Sequence, residues 1–223
     1  MGSEMCIRDS ITRGYRLPFA RYPLPCFLAN NRSAFQHPEF VSRAICELLE
    51  NDCIIEHSTP PFCANPFSVA QGKKLGLVID LRHVNNFLVR FKFEDLRSLS
   101  QVLKEGYWFF AWDLRSGYHH VYVFVEHQTY LGFSWRFNGV PRYFTFAVLP
   151  FGLIRACCCF TKLLRPLVKR WRSMSHGSFV CRVFVDVFVL PATYTIYSWK
   201  DLVRGRYMRL GLLFFEVARS SEC

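Results

Sequence analysis

The stretch FAWDLRSGYHH, from Phe110 to His120, decides how the rest of the chain is interpreted. Its apolar first half predicts a strand that ends near Asp113 and breaks at Ser116 and Gly117. A carboxylate at the end of a strand, beside the free backbone N–H groups of a turn, suits a metal-bound polyphosphate. The stretch alone also allows a simpler interpretation, in which Asp113 only caps the turn.

Composition sets the class of protein. The chain has 223 residues, 51% of them apolar, so it can bury a core and is not a disordered tail. Its 28 Lys and Arg against 17 Asp and Glu give a net charge of +11. This excess indicates a polyanionic partner, nucleic acid above all, because neutralised phosphates release counterions. A basic protein without such a partner is the alternative.

The ten cysteines do not form a recognisable metal or disulfide pattern. There is no C-x-x-C pair, and no two histidines have the spacing of metal ligands. We therefore expect small, buried, reduced cysteines in an intracellular protein of the cytoplasm or nucleus. No apolar run reaches the roughly 18 residues that span a bilayer, so no membrane association is expected.

Helical periodicity is clear in three segments. Apolar residues such as Val41 and Ile45 recur on one face after Pro38, which suits a first helical turn. A second helix is predicted over residues 93–106, ending at a glycine. The third covers Leu153–Trp171, where a proline predicts an interruption or restart.

Strand patterns alternate with these helices. The sequence predicts one hairpin around the Gly-Lys-Lys turn, with a second strand over Leu75–Leu81, and another around Asn138-Gly139. Between Phe179 and Leu190, apolar residues alternate as in a single strand, which would place Asp186 on the same face as Phe184.

Four segments carry a resemblance that no one of them would support alone: VIDLRHVN, FAWDLRSGYHHV, YLGFSW and FTFAVLPFGLIRACCCFTKLLRPLV. Their order and approximate spacing resemble the fingers and palm of retroelement reverse transcriptases, similar to the gypsy-like and DIRS-like retrotransposon enzymes, over about residues 25–180. The resemblance implies an α/β (α+β) fold in which an antiparallel palm sheet packs on helices and the thumb is absent. Residues 11–112 would be the N-terminal segment and fingers, and residues 113–180 the palm.

The resemblance assigns the catalytic centre to the first stretch. Asp113 matches the first catalytic aspartate, and the carbonyl of Leu114 would join it on Mg²⁺. The backbone N–H groups of Ser116 and Gly117 would bind the incoming triphosphate. Tyr118 matches the aromatic gate that excludes a ribose 2′-hydroxyl, although a core aromatic is the alternative.

Further residues would contact the nucleotide. Phe151 and Gly152, in the LPFGL turn, would stack near the base pair and permit close backbone approach. Lys73 and Lys74 resemble the fingers lysines that close over the phosphates, and solvated turn lysines are the alternative. The fingers signature IDLRHVN contains Asp80, Arg82 and Asn85, and its arginine is expected to be structural or to face the template.

Two positions depart from the family pattern. Family members usually carry a basic residue at the place of Gly76, and a single base change converts an arginine codon to glycine. The family's Y-x-D-D hairpin is expected directly after HGSFV, but the chain reads CRVFVDVFVLP. Asp186, in the degenerate string Phe184-Val185-Asp186-Val187, is our candidate second catalytic and metal-binding residue.

Both ends of the chain carry a separate expectation. Residues 181–223 match no further palm element, and we expect a degenerate or frame-shifted tail without an evolved fold. MCIRDS, from Met5 to Ser10, is similar to a translated sequencing-library adapter, so residues 1–10 are expected to be an artefact without a role in the fold.

The sequence therefore predicts a fragment of an RNA-directed DNA polymerase (reverse transcriptase, a nucleotidyltransferase) of a retrotransposon. Its partners would be an RNA or DNA template with a primer, deoxynucleoside triphosphates and Mg²⁺. We expect little or no activity, because two-metal catalysis needs carboxylates from separate strands. The alternatives are a non-enzymatic, basic nucleic-acid-binding remnant and a decayed element without a cellular role.

Overall fold

A computed structural model describes residues 7–72, 74–90, 108–114, 116–174, 182–184, 187–189 and 212–219. The chain divides into two compact units. The first contains residues 1–91 and 118–156, and the second contains residues 92–117 and 157–223. Each unit therefore consists of two separate segments of the sequence. The predicted boundary between fingers and palm, at residues 112 and 113, falls inside the second unit. The assignment of fingers and palm therefore stays a prediction.

The helices are α1 Ile7–Arg13, α2 Arg32–Gln36, α3 Pro38–Glu50, α4 Arg82–Asn85, α5 Val125–Gln128 and α6 Ala156–Met174. Short 3-10 helices cover Gly117–His120 and Thr129–Leu131. The strands are β1 Cys26–Phe27, β2 Ile54–His57, β3 Cys63–Ala64, β4 Phe67–Gln71, β5 Leu75–Ile79, β6 Trp108–Leu114, β7 Gly132–Phe137, β8 Val140–Phe146, β9 Arg182–Phe184, β10 Val187–Val189 and β11 Leu212–Arg219. The predicted mixture of helix and strand is confirmed. No helix in the described ranges has the length and apolar character needed to cross a membrane.

A five-stranded sheet organises the first unit, in the order β1-β3-β7-β8-β2. β7, β8 and β2 are antiparallel neighbours, whereas β1, β3 and β7 pair in parallel. The sheet is therefore mixed, and the predicted antiparallel arrangement holds only for one side of it. The parallel side arises because β1 and β3 are brought in by long connections rather than by tight turns.

The core of this unit is aromatic. Phe133 on β7 lies between Phe67 and Phe144, with ring centroids 4.4 Å and 5.1 Å away. All three rings are almost completely buried. Helix α3 buries Val41 and Ile45, as its periodicity predicts, and Pro38 occupies its first turn. Burial of each large apolar side chain contributes about 1.5–3 kcal/mol, so this cluster is a main source of stability.

Both predicted hairpins are present. β4 and β5 pair around residues 72–74, and β7 and β8 pair around Asn138 and Gly139. Asn138 and Gly139 have φ angles of 52° and 83°, the combination that a tight two-residue hairpin turn requires. The second strand of the first hairpin ends at Ile79, earlier than the predicted Leu81, because Leu81 precedes the α4 turn.

Helix α6 continues through Pro166, so the predicted interruption or restart is wrong. A proline removes one backbone hydrogen bond, and the other turns of this 19-residue helix keep theirs. The helix predicted over residues 93–106 lies outside the described residues. Residues 7–10 form the start of α1, where Ser10 is buried, so these four residues differ from the expectation of no role in the fold.

The second unit contains β6, paired antiparallel with β11, and a small hairpin of β9 and β10. The single strand predicted between Phe179 and Leu190 is wrong, because Phe184 pairs with Val187 across a reversal of the chain. Alternating apolar residues suit one long strand and two short paired strands equally well. The predicted frame shift of the tail is independent of these strands and stays a prediction.

Candidate functional site

Two backbone segments of the first unit run side by side and bring distant motifs together. Val123 donates a hydrogen bond to Ala147 (2.8 Å), and Leu149 donates one to Val121 (2.9 Å). This ladder places the 3-10 turn of SGYHH at the same end as the LPFGL turn, which begins at Leu149. The predicted aromatic gate and the predicted nucleotide turn are therefore neighbours in space.

The rings of Tyr118 and Phe151 pack against each other, with centroids 5.2 Å apart. His119 also contacts Phe151 edge-on at 5.4 Å. Tyr118 is only 7% exposed, whereas Phe151 is 51% exposed. An exposed aromatic ring over a buried one forms a small apolar surface on which a base or another flat group can stack.

The side chain of Asn85 holds the LPFGL turn in place. Its amide nitrogen donates to the carbonyl of Gly152 (2.9 Å), and its amide oxygen accepts from the backbone N–H of Ile154 (3.0 Å). One carboxamide thus bridges the fingers signature and the turn. The sequence placed Asn85 in the IDLRHVN signature. Its contact with the LPFGL turn could not be inferred from sequence spacing.

Gly152 is required at its position for two reasons. Its φ is +90°, in the left-handed region that favours glycine. A Cβ atom there would lie 3.1 Å from the carbonyl oxygen of Ile79, the last residue of β5. Gly152 thus approaches the backbone of β5 in the same unit, whereas its approach to a base pair stays a prediction.

Asp80 and Arg82 form an ion pair directly after β5. The Arg82 guanidinium donates from Nε to Asp80 Oδ1 (2.9 Å) and from Nη2 to Oδ2 (2.5 Å). These hydrogen bonds hold the pKa of Asp80 below its usual value, against a smaller opposing effect of burial. Asp80 Oδ1 also accepts the backbone N–H of Arg82 (3.1 Å), so the pair fixes the start of α4. This geometry agrees with the structural role that was expected for Arg82.

The tip of the first hairpin is open to solvent. Lys74 is exposed there, and Lys73 lies outside the described residues. At Gly76, opposite Ala70 on β4, an added Cβ would meet nothing within 4 Å. A Cβ atom is therefore accommodated at this position, where the resemblance predicts a basic residue.

The second unit holds the predicted metal ligands. Asp113 and Leu114 are the last two residues of β6, and Asp113 pairs with Leu213 of β11. Ser116 has a φ of +52°, and Gly117 begins a 3-10 helix, so the strand has ended before Ser116 and Gly117, where the break was predicted. Asp186, between β9 and β10, lies outside the described residues.

A cysteine and histidine cluster was missed by the sequence reasoning. The ligand atoms of Cys26, Cys63 and His83 all lie within 4.8 Å of one another. Burial, with the neighbouring Cys26 thiol, raises the pKa of Cys63 to about 12, so its thiol is protonated when no metal is bound. The residues are too far apart in sequence for a spacing motif to reveal them. Cys46, which was expected to be buried, is exposed on α3.

His119 adds a titratable group beside Phe151. Its pKa is lowered by burial, and further by the nearby charge of His120. The ring is 3.7 Å from the sulfur of Cys53, measured from Nδ1. Sequence reasoning assigned His119 no role, since a histidine between an aromatic gate and another histidine carries no distinctive pattern.

Comparisons with family models and curated proteins do not assign the chain to a family. No protein-family model matches the chain, and the search of curated proteins finds no significant match. The arrangement of Tyr118, Phe151, Gly152 and Asn85 is therefore interpreted from its own geometry.

Proposed function

We propose that the chain is a fingers and palm fragment of a retrotransposon reverse transcriptase, an RNA-directed DNA polymerase. The observation that carries this proposal is the Asn85 clasp on the LPFGL turn, together with the packing of Phe151 on Tyr118. Parts of three segments that resemble reverse transcriptase motifs thereby meet in the first unit, which supports the proposal. The predicted metal ligand Asp113 belongs to the second unit.

The proposed nucleotide surface consists of Tyr118, Phe151 and Gly152. Phe151 presents its exposed face to the base pair. Gly152 has no side chain, so a flat base can approach its backbone closely. Tyr118 packs against Phe151 and would lie next to the sugar of the bound nucleotide. A ring in that place clashes with a 2′-hydroxyl, which favours deoxynucleotides.

Magnesium would be held by Asp113, the carbonyl of Leu114 and Asp186. Carboxylate and carbonyl oxygens are the ligands that Mg²⁺ prefers. Bound there, the ions would activate the primer 3′-hydroxyl and stabilise the leaving pyrophosphate. Ser116 and Gly117 would donate backbone N–H groups to the triphosphate. The chain lacks the last acid of a Y-x-D-D string, so we expect primer and nucleotide binding with little or no extension.

The β9–β10 hairpin offers a direct test, because Phe184 and Val187 are paired across it. The double variant Phe184→Tyr/Val187→Asp converts Phe-Val-Asp-Val to Tyr-Val-Asp-Asp with two changes. If residues 181–223 are degenerate but in frame, we expect this variant to extend a labelled primer on an RNA template in the presence of Mg²⁺ and deoxynucleotides. A frame-shifted tail predicts no extension. The parent chain should extend the same primer at least ~100-fold more slowly, as for loss of one transition-state ligand.

Asp113→Asn in the restored background is the matched control. It should abolish extension while filter binding of the primer-template is retained. If the restored chain binds nucleic acid equally well with and without Mg²⁺ but never extends the primer, and the parent DNA encodes no Y-x-D-D string near this point in any frame, the polymerase assignment is wrong. The basic nucleic-acid-binding remnant then becomes the better interpretation.

A further inference from the structure

Cys26, Cys63 and His83 come from three different elements of the first unit. Cys26 on β1 and Cys63 on β3 are direct neighbours in a parallel pair, and Cys26 donates its backbone N–H to Phe62 (3.0 Å). His83 lies in α4, against Phe87. Their sulfur and nitrogen ligand atoms lie within 4.8 Å of one another. In a tetrahedral zinc site the ligand atoms are roughly 3.4–3.8 Å apart, so small side-chain rotations suffice.

The imidazole of His83 lacks a hydrogen-bond partner on one side. Its Nε2 is buried and has no partner among the residues that the structure describes. An unsatisfied buried polar atom costs about 1–3 kcal/mol, so native structures rarely leave one without compensation. A metal bond at Nε2 would remove this cost. It would also place a positive charge beside the two cysteine sulfur atoms, which are the softer ligands of the cluster.

We propose that Cys26, Cys63 and His83 bind one Zn²⁺ ion, with the fourth position taken by water or another ligand. Two sulfurs and one imidazole nitrogen suit Zn²⁺ and exclude the hard cations Mg²⁺ and Ca²⁺, which require oxygen ligands. The site uses neither of the predicted Mg²⁺ ligands Asp113 and Asp186, and the proposal does not depend on polymerase activity.

The proposed zinc site joins the edge of the five-stranded sheet to α4. β1 and β3 form that edge, and they are only two residues long. α4 has only four residues, too few for stability from its own hydrogen bonds. Because Asn85 lies two residues after His83 on this helix, zinc would also stabilise the clasp on Gly152. Zinc is thus expected to be a structural ion here.

Cobalt substitution tests the site without any activity assay. The reduced protein is titrated with Co²⁺, whose tetrahedral thiolate complexes show visible d–d bands and a near-ultraviolet charge-transfer band. We expect one Co²⁺ per chain in this form, displaced by Zn²⁺ and unaffected by Mg²⁺. Cys26→Ser and Cys63→Ser should each weaken binding by at least ~100-fold, more than loss of an outer-shell contact. Zn²⁺ should raise the melting temperature of the parent chain but not of these variants.

Cys46→Ser is the matched control, because Cys46 is exposed on α3 and outside the cluster. A joint serine replacement of Cys157, Cys158 and Cys159 controls for binding elsewhere. Both controls should keep the Co²⁺ spectrum. His83→Cys should keep binding and strengthen the charge-transfer band, a gain that misfolding cannot produce. Equal spectra in all variants, or a Cys26–Cys63 disulfide that forms in place of metal binding, would overturn the proposal.

Discussion

Asn85 and Gly152 are 67 positions apart in sequence, yet the Asn85 side chain donates a 2.9 Å hydrogen bond to the Gly152 carbonyl. The same carboxamide accepts the N–H of Ile154. This relationship fixes the exposed Phe151 over Tyr118, because the turn that carries Phe151 is anchored at its far side. It makes the local stability of the site depend on a single polar side chain.

Replacing Asn85 should loosen the turn. Asn85→Ala removes both hydrogen bonds, each worth about 0.5–1.5 kcal/mol, so we expect a loss of about 1–3 kcal/mol in the free energy of unfolding. Urea unfolding measures the loss. The backbone N–H of Ile154, which loses its acceptor, should exchange with solvent faster under native conditions. Asn86→Ala, one residue on and exposed, is the control and should change stability by less than about 0.5 kcal/mol.

Two glycines with similar φ angles allow the effect of backbone strain to be distinguished from steric crowding of an added Cβ atom. Gly152 has a φ of +90° and Gly139 a φ of +83°, but only at Gly152 would a Cβ meet an atom closely, the Ile79 oxygen at 3.1 Å. Gly139→Ala should lower the free energy of unfolding by about 1–2 kcal/mol, because an L residue is strained in the left-handed region. Gly152→Ala should lower it further and also displace Phe151. Equal losses in thermal melts of the two variants would show that the contact with β5 is unimportant.

Gly76 should accept the basic side chain that the resemblance to reverse transcriptases predicts at its position. Its Cβ direction is empty, so Gly76→Arg should keep the fold and raise stability by up to about 1 kcal/mol by removing a strand glycine. Under the proposed function it should also tighten binding of a fluorescent deoxynucleoside triphosphate. Gly132→Ala is the contrasting variant, because its Cβ would lie 2.3 Å from Pro61 and should destabilise the chain. Unchanged nucleotide binding in Gly76→Arg would argue against the fingers assignment.

Stability should fall on mild acidification because of His127. Its Nδ1 accepts the Leu17 N–H (2.9 Å), and burial, with the charge of Arg16, lowers its pKa despite an opposing effect of Glu126. Below a pH of about 6.5 the unfolded chain therefore binds a proton that the folded chain does not. The stabilisation is complete above that pH and is lost as the pH falls toward the lowered folded-state pKa.

We expect the free energy of unfolding to decrease between pH 7.5 and 5.5, by up to about 1.4 kcal/mol per pH unit for this group. His127→Asn keeps an acceptor for Leu17 but cannot titrate, so its urea midpoint should depend less on pH. Some dependence should remain, because the pKa of His119 is lowered as well. If the urea midpoint depends on pH equally in the parent chain and in this variant, His127 is excluded as the cause of the loss of stability at low pH.

The local elements were determined by the sequence itself. The apolar spacing after Pro38 predicted α3, and Asn138-Gly139 predicted the β7–β8 turn, because each depends on residues a few positions apart. The alternation between Phe179 and Leu190 predicted strand structure but not its reversal. A period of two is the same in one strand and in two paired strands.

Only the tertiary structure decided which segments meet. The Asn85 clasp and the Cys26, Cys63 and His83 cluster join residues that are far apart along the chain. Their proximity depends on the order and direction of strand pairing, including the parallel pair of β1 and β3. Local periodicity carries no information on that order, because many pairings bury the same apolar faces. The sequence therefore determined the local elements, and the packing of the sheet decided which residues share a site.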